Sequence, residues 1–532
     1  MRESIPMKKI TLICFIVVGF HFCMEAQNPT IKWWYDVLDS SFGQSAAGDI
    51  DKDGKLEIVF GCYRNDSCIY ALNAENGTLQ WKFNAKTNLA EGCNDVAVLI
   101  ADTDQDDTLD VVVPSSCNPK TYCFRGKDGS IKWQTNTAGS DSPPSMADVD
   151  QDGKPEILHG GFDGKVMCLN AENGSVAWTL PVFNNAWVQT APTLVDLNNN
   201  GVLDVVVSTW AFSPDTSRIY AYNGSTQALL WSKPVSDYVY HGTAVGDIDQ
   251  DGKPELIFGD YNGKIYALNG EDGSTLWTYQ AQVYVGAPAT IADINQDGYC
   301  DVVYCDGYGV GALDRYGNSM WYYSIPNYGQ SFRGVAVADV TGDYNLDIVF
   351  GTQTGKVYAL NGSNGVLHWD IDLKAHIGKK FDINHAPLIS DFDDDGKMDV
   401  FVVGGSTEYP NFSANYGRAY LISTGPGHGP DWMMFQQDIK RQSNICNFPV
   451  GIPETDIAPS MTIYPNPAHH KIRLEGIGPG RVSIYNTVGE RINTYKTDAH
   501  NIEIQVADLS PGIYLIEFVG KHYTRKQAVT IH

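Results

Sequence analysis

The stretch "DIDQDGKPELIFGDYNGKIYALNGEDGSTLW", residues 247–277, decides the fold. It opens with a carboxylate at every second position, passes through two short apolar runs and closes on Trp277. Short apolar runs bounded by Gly, Asn and Asp read as strands joined by tight turns. Variants of this unit recur along the chain. Acidic clusters begin at Asp49, Asp102, Asp148, Asp196, Asp247, Asp293, Asp339 and Asp391, at spacings of 53, 46, 48, 51, 46, 46 and 52 residues. Repeats of about 40–50 residues in a chain rich in Gly, Tyr and Trp point to propeller blades. No long stretch carries apolar residues at helical spacing, so the class is all-β.

Four strands can be read in each unit: an Ala/Pro/Val-rich segment before the acidic loop, an "ELIFG"-like run after it, then "GKIYALNG", then "STLW". Eight units predict an eight-bladed β-propeller over residues 27–445. A four-stranded blade cannot bury both of its faces alone, so neighbours must stack. Trp81, Trp133, Trp178, Trp231, Trp277, Trp321 and Trp369 recur on the last strand and would supply much of that burial. Trp34 precedes the first unit and Trp432 follows the last, which leaves one strand to spare. "IKWWYDV" is expected to close the ring as the outer strand of the last blade, with "DWMMFQQ" as the competing closure.

The loops follow D-x-D-x-D-G-x-x-[DE], with side-chain oxygens at positions 1, 3, 5 and 9. They hold 30 of the 63 acidic residues. Four carboxylates in nine residues repel one another strongly unless a cation neutralises them. Calcium suits such a cage, because it takes roughly six to eight oxygen ligands in flexible geometry. Four loops fit fully: Asp49, Asp51, Asp53 and Glu57; Asp148, Asp150, Asp152 and Glu156; Asp247, Asp249, Asp251 and Glu255; and Asp391, Asp393, Asp395 and Asp399. Loop six has Asp293, Asn295, Asp297 and Asp301. Loop two has Asp102, Asp104, Asp106 and Asp110, with Asp107 where Gly is expected. Loop seven has Asp339, Thr341, Asp343 and Asp347, with Tyr344 at position 6, and loop four has only Asp196 and Asp204 as charge beside Asn198 and Asn200. The expected cofactor is several Ca2+ per chain, with plain Asx turns as the alternative for the weaker loops, loop four above all.

"DIDQDGKPELIFG" and its relatives resemble the FG-GAP (VCBS) repeats of integrin-α-like propellers, and "GKIYALNGEDGSTLW" is similar to PQQ-like repeats of quinoprotein propellers. The resemblance covers about residues 31–440. It implies calcium at the hairpin between the first two strands of a blade, as a stabiliser and not a reagent.

If the acidic hairpins share one face, the loops between second and third strands and the blade-to-blade links share the other. Two loops there are long and aromatic, 208–218 and 404–418. The ligand-face candidates are Trp187, Trp210, His241, Arg333, His385, Tyr409 and Phe412. Aromatics among polar residues on rigid loops suit a glycan or protein ligand. The chain contains no G-x-S-x-G, H-E-x-x-H, C-x-x-C or phosphate-binding loop, so no catalytic residue is assigned. The expected function is a binding or adhesion module; the alternative is a polysaccharide lyase, since calcium-bearing eight-bladed propellers occur among rhamnogalacturonan lyases. A net charge of −26 argues against nucleic acid, and a monomer is expected.

Lys8 and Lys9 before "ITLICFIVVGF" read as a signal peptide, residues 1–26, cleaved near Ala26. No stretch is long enough to span a bilayer. Two cysteine pairs with the same gap, Cys62/Cys68 and Cys117/Cys123, predict hairpin disulfides in an oxidising compartment, with unpaired buried thiols as the alternative. A proline-bearing linker, 446–460, leads to residues 461–532, where alternating runs read as a small β-sandwich. "IYPNPA", "VSIYNTVGERI" and "LSPGIYLIEFVG" resemble, in that order, the type IX secretion sorting domain of Bacteroidota. This implies contact with that machinery, export across both membranes, and secretion or attachment at the cell surface.

Overall fold

The computed structural model describes residues 28–87, 92–94, 96–408, 410–446, 462–468, 470–475, 480–486, 491–497, 501–507, 509–510, 512–520 and 524–531. The signal segment and the linker beyond Cys446 lie outside them. Within the repeat region the described residues form eight four-stranded antiparallel sheets in chain order, one per acidic loop. The first blade runs outward through Ala46–Gly48, Glu57–Gly61, Cys68–Asn73 and Leu79–Asn84. The second strand of every blade is buried along its whole length, because a neighbouring blade covers each face. Val, Ile and Phe dominate these strands, where branched and aromatic side chains pack best on a pleated surface.

The ring closes with the N-terminal strand. Thr30–Val37 pairs antiparallel with Tyr416–Gly425 as the fourth strand of the last blade, in the register Trp33↔Leu421 and Val37↔Gly417. The tryptophan equivalent to the others is therefore Trp33, which is buried, whereas Trp34 is 51% exposed. The bulge that skips Lys32 recurs one residue before the tryptophan of every other outer strand, and it puts Trp33 in register with them.

Each outer-strand tryptophan clasps the next blade. Trp33, Trp81, Trp133, Trp231, Trp277 and Trp321 donate their indole N–H to a backbone carbonyl in that blade's last turn, at 2.6–2.8 Å. The ring lies flat on a turn glycine: at Gly129 an added Cβ would sit 2.6 Å from the Trp81 ring, and φ is +66°. Trp178 is an exception with a visible cause. Gln227 takes the glycine's place in the fourth blade, and its side-chain amide donates to Gly224 O, leaving the indole without a partner. Trp369 also lacks one, because the last blade has no turn there: its outer strand comes from the other end of the chain.

"DWMMFQQ" does not close the ring; it runs down its centre. Residues 428–445 hydrogen-bond to the inner strand, or to a residue adjoining it, in all eight blades. Backbone bonds join Ala47 to Met433, Met146 to Ile439, Leu194 to Lys440, Val245 to Gln442, Ile291 to Ser443, Asp339 to Gly429 and Ile389 to Trp432. The second blade is reached through Arg441, whose guanidinium donates to Val98 O, Pro144 O and Phe435 O. Inner strands turned toward an axis would otherwise leave their N–H groups unpaired, and this segment satisfies them.

The disulfides differ from those expected. Cys93 bonds to Cys117, and Cys300 to Cys446, which ties the end of the central segment to the sixth acidic loop. The expected Cys62–Cys68 and Cys117–Cys123 bonds are not formed, and Cys62, Cys68 and Cys123 are buried. Cys62 and Cys68 pack in the apolar cluster between first and last blades, and Cys123 in the one between second and third. Those thiols serve blade packing, and Cys117 bonds to a cysteine of the preceding link instead.

The C-terminal residues form a three-stranded sheet (Thr462–Tyr464, Lys471–Glu475, Asn501–Gln505) and a four-stranded one (Arg491–Thr497, Gly480–Tyr485, Gly512–Gly520, Thr524–Ile531). Ile472 and Leu474 of the first share a core with Val482, Ile516 and Phe518 of the second, as a small sandwich requires.

Candidate functional site

The eight acidic loops share one backbone path. Position 4 or its neighbour and position 6 take positive φ throughout, as at Lys52 (63°) and Gly54 (90°). Asp107 and Tyr344 adopt the same left-handed conformation (66° each) without being glycine, so neither substitution breaks its loop. In loop one Asp49 accepts from the N–H groups of Asp53 and Gly54 at 3.1 Å, and Asp53 accepts from Lys55 at 2.9 Å. The position-9 acid is buried in every loop. One of its oxygens is anchored on the N–H of position 2, as Glu57 Oε2 on Ile50 (3.0 Å) and Glu255 on Ile248 (2.9 Å).

The donor set fits a hard divalent cation. Ligand atoms of Asp49, Asp51 and Asp53 converge within 4.8 Å, as do those of Asp148, Asp150 and Glu156, and those of Asp247, Asp249 and Asp251. Glu57 Oε1 and Asp301 Oδ2 are buried without a hydrogen-bond partner, as a ligand oxygen awaiting an ion would be. Burial, reinforced by the neighbouring aspartates, pushes Glu57 and Glu255 up to about 8 and Glu156 to about 7.

Some loops carry their own counter-charge, supplied in each case by the residue before the outer-strand tryptophan and in loop seven by His428 as well. Lys132 Nζ stands 2.7 Å from Asp104 and 2.6 Å from Asp110 in loop two. Lys32 Nζ reaches Asp393 (2.6 Å), Asp395 (3.2 Å) and Asp399 (3.1 Å) in loop eight. In loop seven His368 lies 3.2 Å from Asp347, and His428 lies 2.7 Å from Asp339. Gln80 offers loop one only a neutral amide, 2.9 Å from Asp51. Loops three to six face Ala177, Leu230, Leu276 and Met320 at that position.

The other face carries the remaining candidates. In an antiparallel blade the second-to-third turn lies at the opposite end from the first-to-second turn, so loops 208–218 and 404–418 stand away from the acidic hairpins. Trp187 and Trp210 face each other across a two-residue ribbon, Ala186–Trp187 paired with Trp210–Ala211. Trp187 also meets Phe162 (5.1 Å) and Phe212 (5.0 Å), and Trp210 stacks on Tyr238 at 4.2 Å and 12°. The band continues through Tyr261 and Tyr284 (5.3 Å apart) and through Tyr240 to Phe332 (5.8 Å). A cavity of about 890 Å3 opens beside it, with Asp141, Phe162, Tyr240, Phe332, Arg333 and Gln353 among its walls.

Arg333 reaches this cavity. His241 and His385 do not reach the surface: both are buried. Burial, with Arg333 nearby, holds His241 well below its ordinary value and His385 at about 3. His385 accepts from Ser45 N–H at 2.8 Å and His241 bonds Gly286 O through Nδ1, so both are wedges between blades. Phe412 lies in a short turn under the Arg64 guanidinium, 5.1 Å away, apart from the aromatic band. Tyr409 lies outside the described residues. Phe162, Tyr261 and Gln353 were missed, although all three open the x-x-G-K turn in "FDGK", "YNGK" and "QTGK". That shared position was the available signal.

Comparison with known proteins agrees with this architecture. The FG-GAP-like repeat model matches residues 46–113 and 148–207. A model described as outer membrane protein assembly factor BamB matches residues 215–423. The secretion system C-terminal sorting domain model matches residues 462–532. The chain thus carries FG-GAP-like repeats and a BamB-like propeller segment, followed by a secretion sorting domain. That domain marks it for export to the cell surface or secretion, and no helix among the described residues is long and apolar enough to cross a membrane.

No curated protein sequence matches the chain. Similar solved structures include a europium-containing methanol dehydrogenase, at 13% identity and TM-score 0.52, covering 74% of this chain and 93% of that one. A quinohemoprotein alcohol dehydrogenase from Comamonas testosteroni has 12% identity and TM-score 0.51, covering 76% and 77%. Sqt1 of Saccharomyces cerevisiae has 12% identity and TM-score 0.50, covering 75% and 99%. At such identities the likeness concerns the fold alone.

Proposed function

We propose that this exported protein is a monomeric, calcium-stabilised binding module that takes a glycan or protein ligand on the face opposite its acidic loops. The supporting observation is the continuous aromatic band from Phe162 to Phe332 beside a central cavity. Aromatic rings held on a rigid scaffold present large contact area at little entropic cost. The direct test is a glycan array probed with the calcium-loaded protein, run beside a polysaccharide turnover assay. Stable retention of one glycan class without product supports the module; product release would favour a lyase.

Calcium is assigned first to loops one, three, five and six, whose acids make no ion pair with a lysine or arginine among the described residues. Loops two and eight hold a lysine ammonium among the same carboxylates, and an ion there would have to displace a paired charge. Elemental analysis of the dialysed protein should therefore return fewer calcium ions than loops. Lys132→Met and Lys32→Met should each raise the count by about one, with the ion cancelling the exposed repulsion. An unchanged count in both variants would remove the lysines from this role.

A further inference from the structure

The cavity on the recognition face contains a guanidinium that makes no ion pair among the described residues and leaves two of its nitrogens without an acceptor. Arg333 is 4% exposed, lines the cavity, and has no hydrogen-bond partner at Nε or Nη1. Asp141, on the same wall, is near enough to feel its field but is engaged by Gln189 Nε2 at 3.2 Å. Asp382 is answered by Lys380 at 3.5 Å. The guanidinium lies instead among rings, 5.7 Å from both Tyr240 and Phe332.

A buried cation without an acceptor is costly to the fold, and structures keep one chiefly where something else pairs with it. Guanidinium donors match a planar carboxylate well. The surrounding groups match the rest of a sugar: rings for its C–H face, and Asp141, Gln353 and Asn384 for its hydroxyls. Asp141 and Asp382 on the same walls disfavour a doubly charged phosphate. We propose that the cavity selects a carboxylated saccharide of the uronate type, its carboxylate on Arg333 and its ring against Tyr240 and Phe332. This rests on the binding-module reading and narrows it.

The test uses the full chain saturated with calcium. Isothermal titration is run with uronate oligosaccharides (hyaluronan, alginate and oligogalacturonate), each beside its carboxyl-reduced neutral form, and with a sulfated galactan oligosaccharide. At least one uronate should bind about 100-fold more tightly than its neutral form, a preference worth one charge-assisted pair. Arg333→Met should reduce that preference to about threefold or less while leaving the calcium-loaded melting temperature unchanged or higher, since an unpaired buried charge is removed.

Equal binding of the neutral forms would overturn the carboxylate assignment and leave the binding module standing. Preference for the sulfated galactan, or a preference that survives in Arg333→Met, would also overturn it. A melting temperature that collapses in Arg333→Met would make the arginine structural and end the proposal. Binding of no saccharide at all would remove the proposal, and with it the glycan form of the module.

Discussion

Removing calcium is expected to lower the melting temperature by roughly 10 °C or more. A ligand that binds only the folded chain stabilises it by about 2.7 kcal/mol at a hundredfold excess over its dissociation constant. Four such sites spread over a propeller of about 400 residues correspond to a shift of that size, given an unfolding entropy of about 2.1 cal/mol/K per residue. The metal-free protein should also show a particular pH dependence. Glu57 and Glu255 are raised to about 8 from 4.5, so the folded chain holds protons there that the unfolded chain has released. The stability this confers is fully present below about pH 4.5 and is lost as pH rises toward 8. With excess calcium the trend from these groups should reverse, because the ion displaces those protons and binds more tightly as pH rises. Calorimetry with and without chelator between pH 5 and 8 checks both statements; coincident curves would remove calcium from the loops.

The second large effect concerns the central segment. Arg441 and Arg333 are both buried arginines, yet replacing each with Met should give opposite results. Arg441 donates to carbonyls of two different blades (Val98 and Pro144) and to Phe435 of its own segment, and Asp438 balances its charge. Arg441→Met leaves those carbonyls without their donor and Asp438 without its counter-charge, at a cost of about 3–5 kcal/mol. Arg333 makes no such hydrogen bonds, and Asp141, which feels its field, keeps Gln189 as a donor, so its loss should cost much less. Denaturant unfolding of the two calcium-loaded variants beside the wild type measures the difference; similar losses in both would mean that the central segment is not what joins the blades.

Much of this was legible because repetition amplifies weak signals. One acidic loop says little, whereas eight in phase gave the strand order and the two faces; the closing strand stayed open between two segments until the pairing of Thr30–Val37 with Tyr416–Gly425. What stayed hidden was non-repetitive. Residues 428–445 have no period, and their role appears only when eight inner strands present unpaired N–H groups to one axis. The Cys300–Cys446 bond joins a loop to that segment across 146 residues, so local spacing could not disclose it. The equal gaps of Cys62/Cys68 and Cys117/Cys123 reflected equal strand positions rather than bonds. In the candidate site Trp210 was readable from loop length, and Trp187 and Arg333 from their links between blades. The histidines at 241 and 385 misled, because repeat position does not distinguish a wedge between blades from a group that opens on solvent.

The division between a stabilising face and a recognising face is tested most directly by glycan-array binding of two variants in saturating calcium. Trp187→Ala with Trp210→Ala should abolish retention of the preferred glycan, since stacked aromatic contacts are worth about 2 kcal/mol or more apiece at the centre of an interface. Asp249→Asn with Asp251→Asn should lower the melting temperature and leave retention intact on the folded protein. If the tryptophan variant bound like the wild type while the aspartate variant, still folded, lost the glycan, recognition would lie on the acidic face and the account would be wrong.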